Sequence, residues 1–138
     1  GGAGDEAASA ATPGASGSVV VAIDFTSDVN VGPETVTSAG GGDVVLAGLD
    51  TTTGTVLWHQ QYGGAGDDVA LALERGTDAR LYLAGAFGET LTVGGSELSS
   101  AGGASTTGAR AVSRPRRAGP AGPAPPGTPR RASLARPP

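Results

Sequence analysis

The chain has 138 residues, 25 glycines, no cysteine and a net charge of −4. Without cysteine there is no disulfide framework and no thiolate metal site, and no apolar run is long enough for a membrane-spanning helix. The mean charge hides two unlike parts: residues 1–103 hold all thirteen acids and two arginines, a net of −11, whereas residues 104–138 hold seven arginines and no acid, a net of +7.

The N-terminal Gly1-Gly2-Ala3-Gly4-Asp5-Glu6 has neither the basic flank nor the apolar core of a signal peptide. With no initiator Met, the chain reads as a piece of a longer protein. Glu6 to Ala11 (EAASAA) lacks apolar alternation and is expected to be a weak strand. Ser18 to Phe25 (SVVVAIDF) predicts a buried strand, and Asp28 to Val31 a following one in which Val29 and Val31 alternate with polar residues. Gly32-Pro33 then forces a turn, because Gly permits positive φ and Pro cannot donate to a ladder. Asp43 to Leu49 (DVVLAGL) is a third strand. Asp50-Thr51-Thr52-Thr53-Gly54 is a tight connection, and Thr55 to Gln61 (TVLWHQQ) is the fourth strand. Beyond it, Asp68 to Glu74, Arg80 to Phe87 and Thr90 to Val93 read as further strands, with a turn at Gly94-Gly95.

These later strands repeat the earlier ones. Gly63-Gly64-Ala65-Gly66-Asp67 repeats Gly1-Gly2-Ala3-Gly4-Asp5 at an offset of 62 residues. The same offset carries Phe25 onto Phe87, Val31-Gly32 onto Val93-Gly94, and Ser38-Ala39-Gly40-Gly41 onto Ser100-Ala101-Gly102-Gly103. A fixed period of this length marks a repeat architecture, in which one unit cannot bury its own apolar face. Four short strands per period, Gly-rich turns and one aromatic phrase per repeat predict β-propeller blades, which close at about 4–8 copies. The expected fold is therefore all-β: an incomplete β-propeller of about two four-stranded antiparallel blades with a disordered C-terminal tail. Residues 1–62 form the first repeat, residues 63–103 a second, truncated repeat, and residues 104–138 the tail.

The tail is rich in Arg, Pro, Ala and Gly, a composition that cannot bury a core. It has three readings. It is a genuine disordered extension, a basic arm for nucleic acid or another anionic surface, or the product of a shifted frame in GC-rich coding sequence. Nucleic-acid binding is the least favoured, since no Lys and no aromatic residue is present to support it. Arg130-Arg131-Ala132-Ser133 fits a basic-directed phosphorylation site, a match common by chance.

Chemistry is sparse. His59, the only histidine, follows Trp58 on a strand, so the two point to opposite faces. No second His or Cys accompanies it, and a surface or packing role is favoured over metal ligation. Asp67-Asp68, Asp5-Glu6 and Asp43 sit in Gly-rich loops. Carboxylates in such loops can bind Ca²⁺ or cap turns by accepting backbone N–H bonds, and the irregular spacing favours capping. Gly63-Gly64-Ala65-Gly66 lacks the Lys-Ser/Thr of a phosphate loop. Trp58, Tyr62, Tyr82, Phe25 and Phe87 are expected to pack. No residue is assigned a catalytic, cofactor-binding or metal-binding role.

Leu81-Tyr82-Leu83-Ala84-Gly85-Ala86-Phe87, Val93-Gly94-Gly95 and Leu98-Ser99-Ser100-Ala101-Gly102-Gly103 together resemble the SBBP-type β-propeller repeats of large bacterial secreted or surface proteins. So do Gly42-Asp43-Val44-Val45-Leu46-Ala47-Gly48-Leu49-Asp50, then Gly54, Leu57-Trp58 and Tyr62-Gly63-Gly64-Ala65-Gly66-Asp67-Asp68. The resemblance spans residues 1–103. It implies a propeller, an extracytoplasmic location, no reaction and no cofactor. It also implies further blades for closure and a protein or carbohydrate ligand at the blade loops. A narrower resemblance is to quinoprotein-type propeller repeats, through Leu49-Asp50-Thr51-Thr52-Thr53-Gly54-Thr55-Val56-Leu57-Trp58. It implies the same fold, in an enzyme whose active site lies on other blades.

Overall fold

The computed structural model describes residues 1–93 and 96–102 and the backbone of residues 105–112. Within these the chain is all-β and antiparallel, and no helix is long and apolar enough to cross a membrane. A four-stranded sheet comes first, in the order β1 (Glu6–Pro13), β2 (Ser18–Val31), β3 (Glu34–Asp50), β4 (Val56–Tyr62). Three further strands, β5 (Asp68–Arg75), β6 (Leu81–Phe87) and β9 (Ser105–Val112), form a second sheet in the order β5-β6-β9. Between β6 and β9 a two-stranded hairpin pairs β7 (Thr90–Val93) with β8 (Ser96–Ser99).

The sequence period is also a structural period. Glu6 pairs with Phe25 and Ala8 with Ile23, and 62 residues on Asp68 pairs with Phe87 and Ala70 with Gly85. Each ladder then slips by one residue, at Ser9 in the first and at Leu71 in the second. A β-bulge of this kind bends a strand and increases its twist. Gly14 N donates to Ser18 O at 2.8 Å, and Gly76 N to Arg80 O at 2.8 Å. Even the left-handed backbone positions recur: Ser27 (φ 64°) with Glu89 (φ 48°), and Gly17 (φ 73°) with Ala79 (φ 64°). Three of these four are not glycine, so the fold demands the conformation and does not merely tolerate it.

Ser27 is where the β2–β3 hairpin bends. Thr26 pairs with Gly42 and Asp28 with Thr37, so Ser27 alone faces residues 38–41 across the break. The tip beyond it folds over its own sheet. Val29, Val31 and Val36 are buried with Phe25, Val45 and Ala47, and Gln61 Nε2 donates to Thr37 O at 2.8 Å. The sequence reading of separate short strands thus becomes two long strands, each crossing the bend.

The opposite face of the first sheet packs on the second unit. Val20, Ala22, Val44, Leu46 and Tyr62 are buried together with Ala70, Leu73 and Leu81, while Trp58, Leu83, Leu91 and Val93 pack at the margin. The first unit thus closes one core by itself under its hairpin tip, and the other core is shared between the two units.

Two segments extend the sequence reading. Glu6–Pro13 is a full strand, held by its ladder to β2 despite its alanines. β9 lies in the stretch assigned to the tail, and it pairs Phe87 with Ser105 just as Phe25 pairs with Asp43. Ladder pairing in the second unit therefore runs on to Val112. The turn at Gly94-Gly95, residues 113–138 and the Arg130–Ser133 motif lie outside the described residues.

Candidate functional site

Of the five acidic residues singled out in the sequence, Asp43, Asp67 and Asp68 converge where the two units join, whereas Asp5 and Glu6 lie at the start of the first unit. The triple glycine on β3, Gly40-Gly41-Gly42, lies against the loop Gly63–Asp67 that links β4 to β5. Gly41 N donates to Gly66 O at 3.2 Å, and Gly42 N donates to Asp67 Oδ1 at 3.0 Å. A Cβ on Gly40 would collide with the Ala65 carbonyl, and one on Gly64 with the Thr90 carbonyl. Glycine is required here because backbone approaches backbone.

Asp43 is fully buried inside this clasp. Its Oδ2 accepts from Ala39 N at 3.0 Å and from Gln61 Nε2 at 2.6 Å, and its Oδ1 accepts from Ser38 Oγ at 3.3 Å. Asp68 is 2 % exposed and accepts from Gly64 N at 2.9 Å through Oδ2, whereas its Oδ1 has no partner. Burial pushes the Asp68 carboxyl up to about 6, with the negative charge of Asp43 adding to the effect against the Gly64 N–H. Tyr62, pushed up to about 12 by burial, has the other unpartnered buried side-chain atom among the described residues, its hydroxyl. Tyr62 and Asp68 both line a mainly apolar cavity of about 50 Å³ between the units, together with Leu83, Phe87, Leu91 and Val93.

Asp50 and Asp78 cap turns. Asp50 Oδ1 accepts from Thr52 N at 2.8 Å and Thr53 N at 2.9 Å, and these bonds hold its carboxyl below the usual carboxylate range. Asp78 is lowered likewise, chiefly by the Arg80 N–H.

Trp58 and His59 are separated by the sheet. Trp58 pairs with Gly48 and its indole lies over that glycine, toward the second unit. His59 pairs with Ala47, and its Nε2 is 3.5 Å from Glu34 Oε2 at the hairpin tip. At the far end of the unit interface, Trp58, Arg75, Ser18 and Leu81 line a second cavity of about 210 Å³, where the Arg75 guanidinium donates to Gly14 O at 3.3 Å.

This arrangement can hold two sheets together. Among the described residues it does not assemble a nucleophile, a base and an orienting acid: the carboxylate beside His59 is that of exposed Glu34 at the hairpin tip. Among the described residues no group of three or more His, Asp or Glu side chains is placed to hold a metal ion. Sequence reasoning singled out Asp43 and Asp68 but did not pair them. They lie 25 residues apart, and only the repeated Gly-rich phrases around them hint that the loops meet. Compared with protein-family models, curated proteins and solved structures, the chain shows no match.

Proposed function

We propose that the chain is a non-catalytic structural and binding module: consecutive blades of a β-propeller from a secreted or surface bacterial protein. The observation that carries this reading is the repetition, 62 residues apart, of the β1–β2 register, its bulge and its left-handed positions. The first unit also packs one face on the second, an arrangement that suits neighbouring propeller blades. The extracytoplasmic location rests on the SBBP resemblance alone. The ligand, a protein or a carbohydrate, would be held by the loops at the blade ends.

A second reading draws on Trp58. In the quinoprotein-type phrase this Trp docks one blade on the next, and here Trp58 packs at the interface between units. On that reading the chain is part of a quinone-dependent or hydrolytic propeller enzyme. One experiment separates the two. The parent reading frame, expressed with all its repeats, should scatter as a flat disk and show no turnover with added pyrroloquinoline quinone. An elongated particle would rule out the closed ring. Quinone-dependent turnover would rule out the non-catalytic module.

A further inference from the structure

The cavity of about 50 Å³ between the units is lined by both of the buried side-chain atoms that have no partner among the described residues. These are Asp68 Oδ1 and the Tyr62 hydroxyl, on residues 2 % and 3 % exposed. The rest of the wall is mainly apolar, with Leu83, Phe87, Leu91 and Val93 on it. Charge at the site is also unbalanced. Asp43 and Asp67 lie near enough that their negative charges act on Asp68. Buried Asp43 is satisfied by neutral donors, from Ala39, Gln61 and Ser38. No ion pair reaches these aspartates among the described residues: Arg80 pairs with Asp78 and His59 with Glu34, while Arg75 donates to Gly14 O. A buried carboxylate ordinarily has an opposite charge beside it.

We propose that this cavity is a binding site for a short primary alkylammonium group. The ammonium donates to Asp68 Oδ1 and to the Tyr62 oxygen, and its methylenes lie against Leu83, Phe87, Leu91 and Val93. Three features select this chemistry. Water would satisfy the hydrogen bonds and leave the charge unmatched. A bare Ca²⁺ ion wants about six or more oxygens, whereas this cavity offers two free ones on an apolar wall. A volume of about 50 Å³ holds about four waters, or a ligand of about four non-hydrogen atoms. Propylammonium has that size, as do the outer atoms of a lysine side chain. The chain contains no lysine, so a lysine ammonium would come from another molecule. Val69 on the rim is 41 % exposed, which gives a ligand a way in. The site needs only the stacked pair of units, so it is independent of ring closure.

The test titrates the full 138-residue chain with propylammonium chloride at pH 8 and constant ionic strength, following the methyl signals of Leu83, Leu91 and Val93 by NMR. At this pH Asp68 is ionised and the amine is protonated. Saturable shifts are expected at about millimolar concentration, the range that so few atoms can support. Neutral n-propanol should bind about tenfold more weakly or worse, and Asp68→Asn should lower propylammonium affinity by about tenfold or more while leaving that of n-propanol in place. Tyr62→Phe should weaken propylammonium by about three- to tenfold. No saturable shift at ten times the expected concentration overturns the proposal. Equal binding of propanol and propylammonium overturns it too, as does unchanged propylammonium affinity in Asp68→Asn. Should Asp68→Asn not fold, the comparison of propanol with propylammonium on the parent chain decides. Nα-acetyl-lysine N-methylamide distinguishes the sources. Competition with propylammonium upholds the site as one for a protein's lysine side chain, and propylammonium binding without such competition upholds it as one for a free small amine.

Discussion

Asp68→Asn should make the protein more stable at neutral pH and less sensitive to pH. Asp68 is 2 % exposed, has one unpartnered oxygen and titrates at about 6 in place of 3.8. Its carboxyl binds a proton more tightly folded than unfolded. The stabilisation from that proton is therefore complete below about pH 3.8 and is lost as pH rises through about 6. Above that, keeping the carboxylate ionised in the junction costs about 3 kcal/mol. An amide of the same shape avoids the cost. Its oxygen still accepts from Gly64 N, although a neutral acceptor makes a weaker bond than a charged one. A net gain of about 1–3 kcal/mol at pH 7–8 is expected, shrinking toward zero near pH 4. Urea unfolding followed through the fluorescence of Trp58, the only tryptophan, measures both chains across this range. Because the two chains differ only at residue 68, the difference between their curves isolates this group. A variant less stable than the parent at pH 8, or a difference that stays constant with pH, would refute the reasoning.

Two further substitutions probe buried contacts, the first with an exposed control beside it. Leu46→Ala, at a side chain 0 % exposed in the core between the units, should cost about 2–5 kcal/mol in urea unfolding, whereas Leu71→Ala, 62 % exposed at the bulge, should change stability by about 0.5 kcal/mol or less. Gly64→Ala drives a Cβ into the Thr90 carbonyl and should cost about 1–3 kcal/mol, read as a lower thermal midpoint with faster amide exchange at Gly42.

Much of the strand content was legible because the signals were local. Val-rich runs bounded by Gly and Asp mark β2, β3 and β6, and strand alternation places Trp58 and His59 on opposite faces. What escaped was non-local. Glu6–Pro13 has no alternation of its own, and its strand exists because β2 offers it a ladder. Continuity of β2 through Ser27 was hidden because a serine there gives no sign of a left-handed bend. The hairpin tip reads as a separate element until Val29, Val31 and Val36 are seen buried over Val45 and Ala47. The candidate site was legible residue by residue but not as a cluster, since Asp43 and Asp68 meet only after two sheets have stacked.

Close approach accounts for the glycines better than flexibility does, between the units at Gly40, Gly41 and Gly63 and within the second unit at Gly64 and Gly66. Gly40 and Gly41 lie against the Ala65 carbonyl and Asp67, Gly63 against the Asp43 carboxylate, and Gly64 and Gly66 against the backbone of Thr90 and Gly88. At these five positions any side chain would force the loops apart and break the N–H bonds that Gly42 and Gly64 make to Asp67 and Asp68. The period that recurs in the sequence is therefore a period of contact between backbones. Gly1-Gly2-Ala3-Gly4-Asp5 keeps that pattern on a face with no second sheet against it, and Gly2 and Gly4 already touch the Asp28 and Thr26 carbonyls as their counterparts do. The pattern therefore serves contacts within each unit as well as between the two.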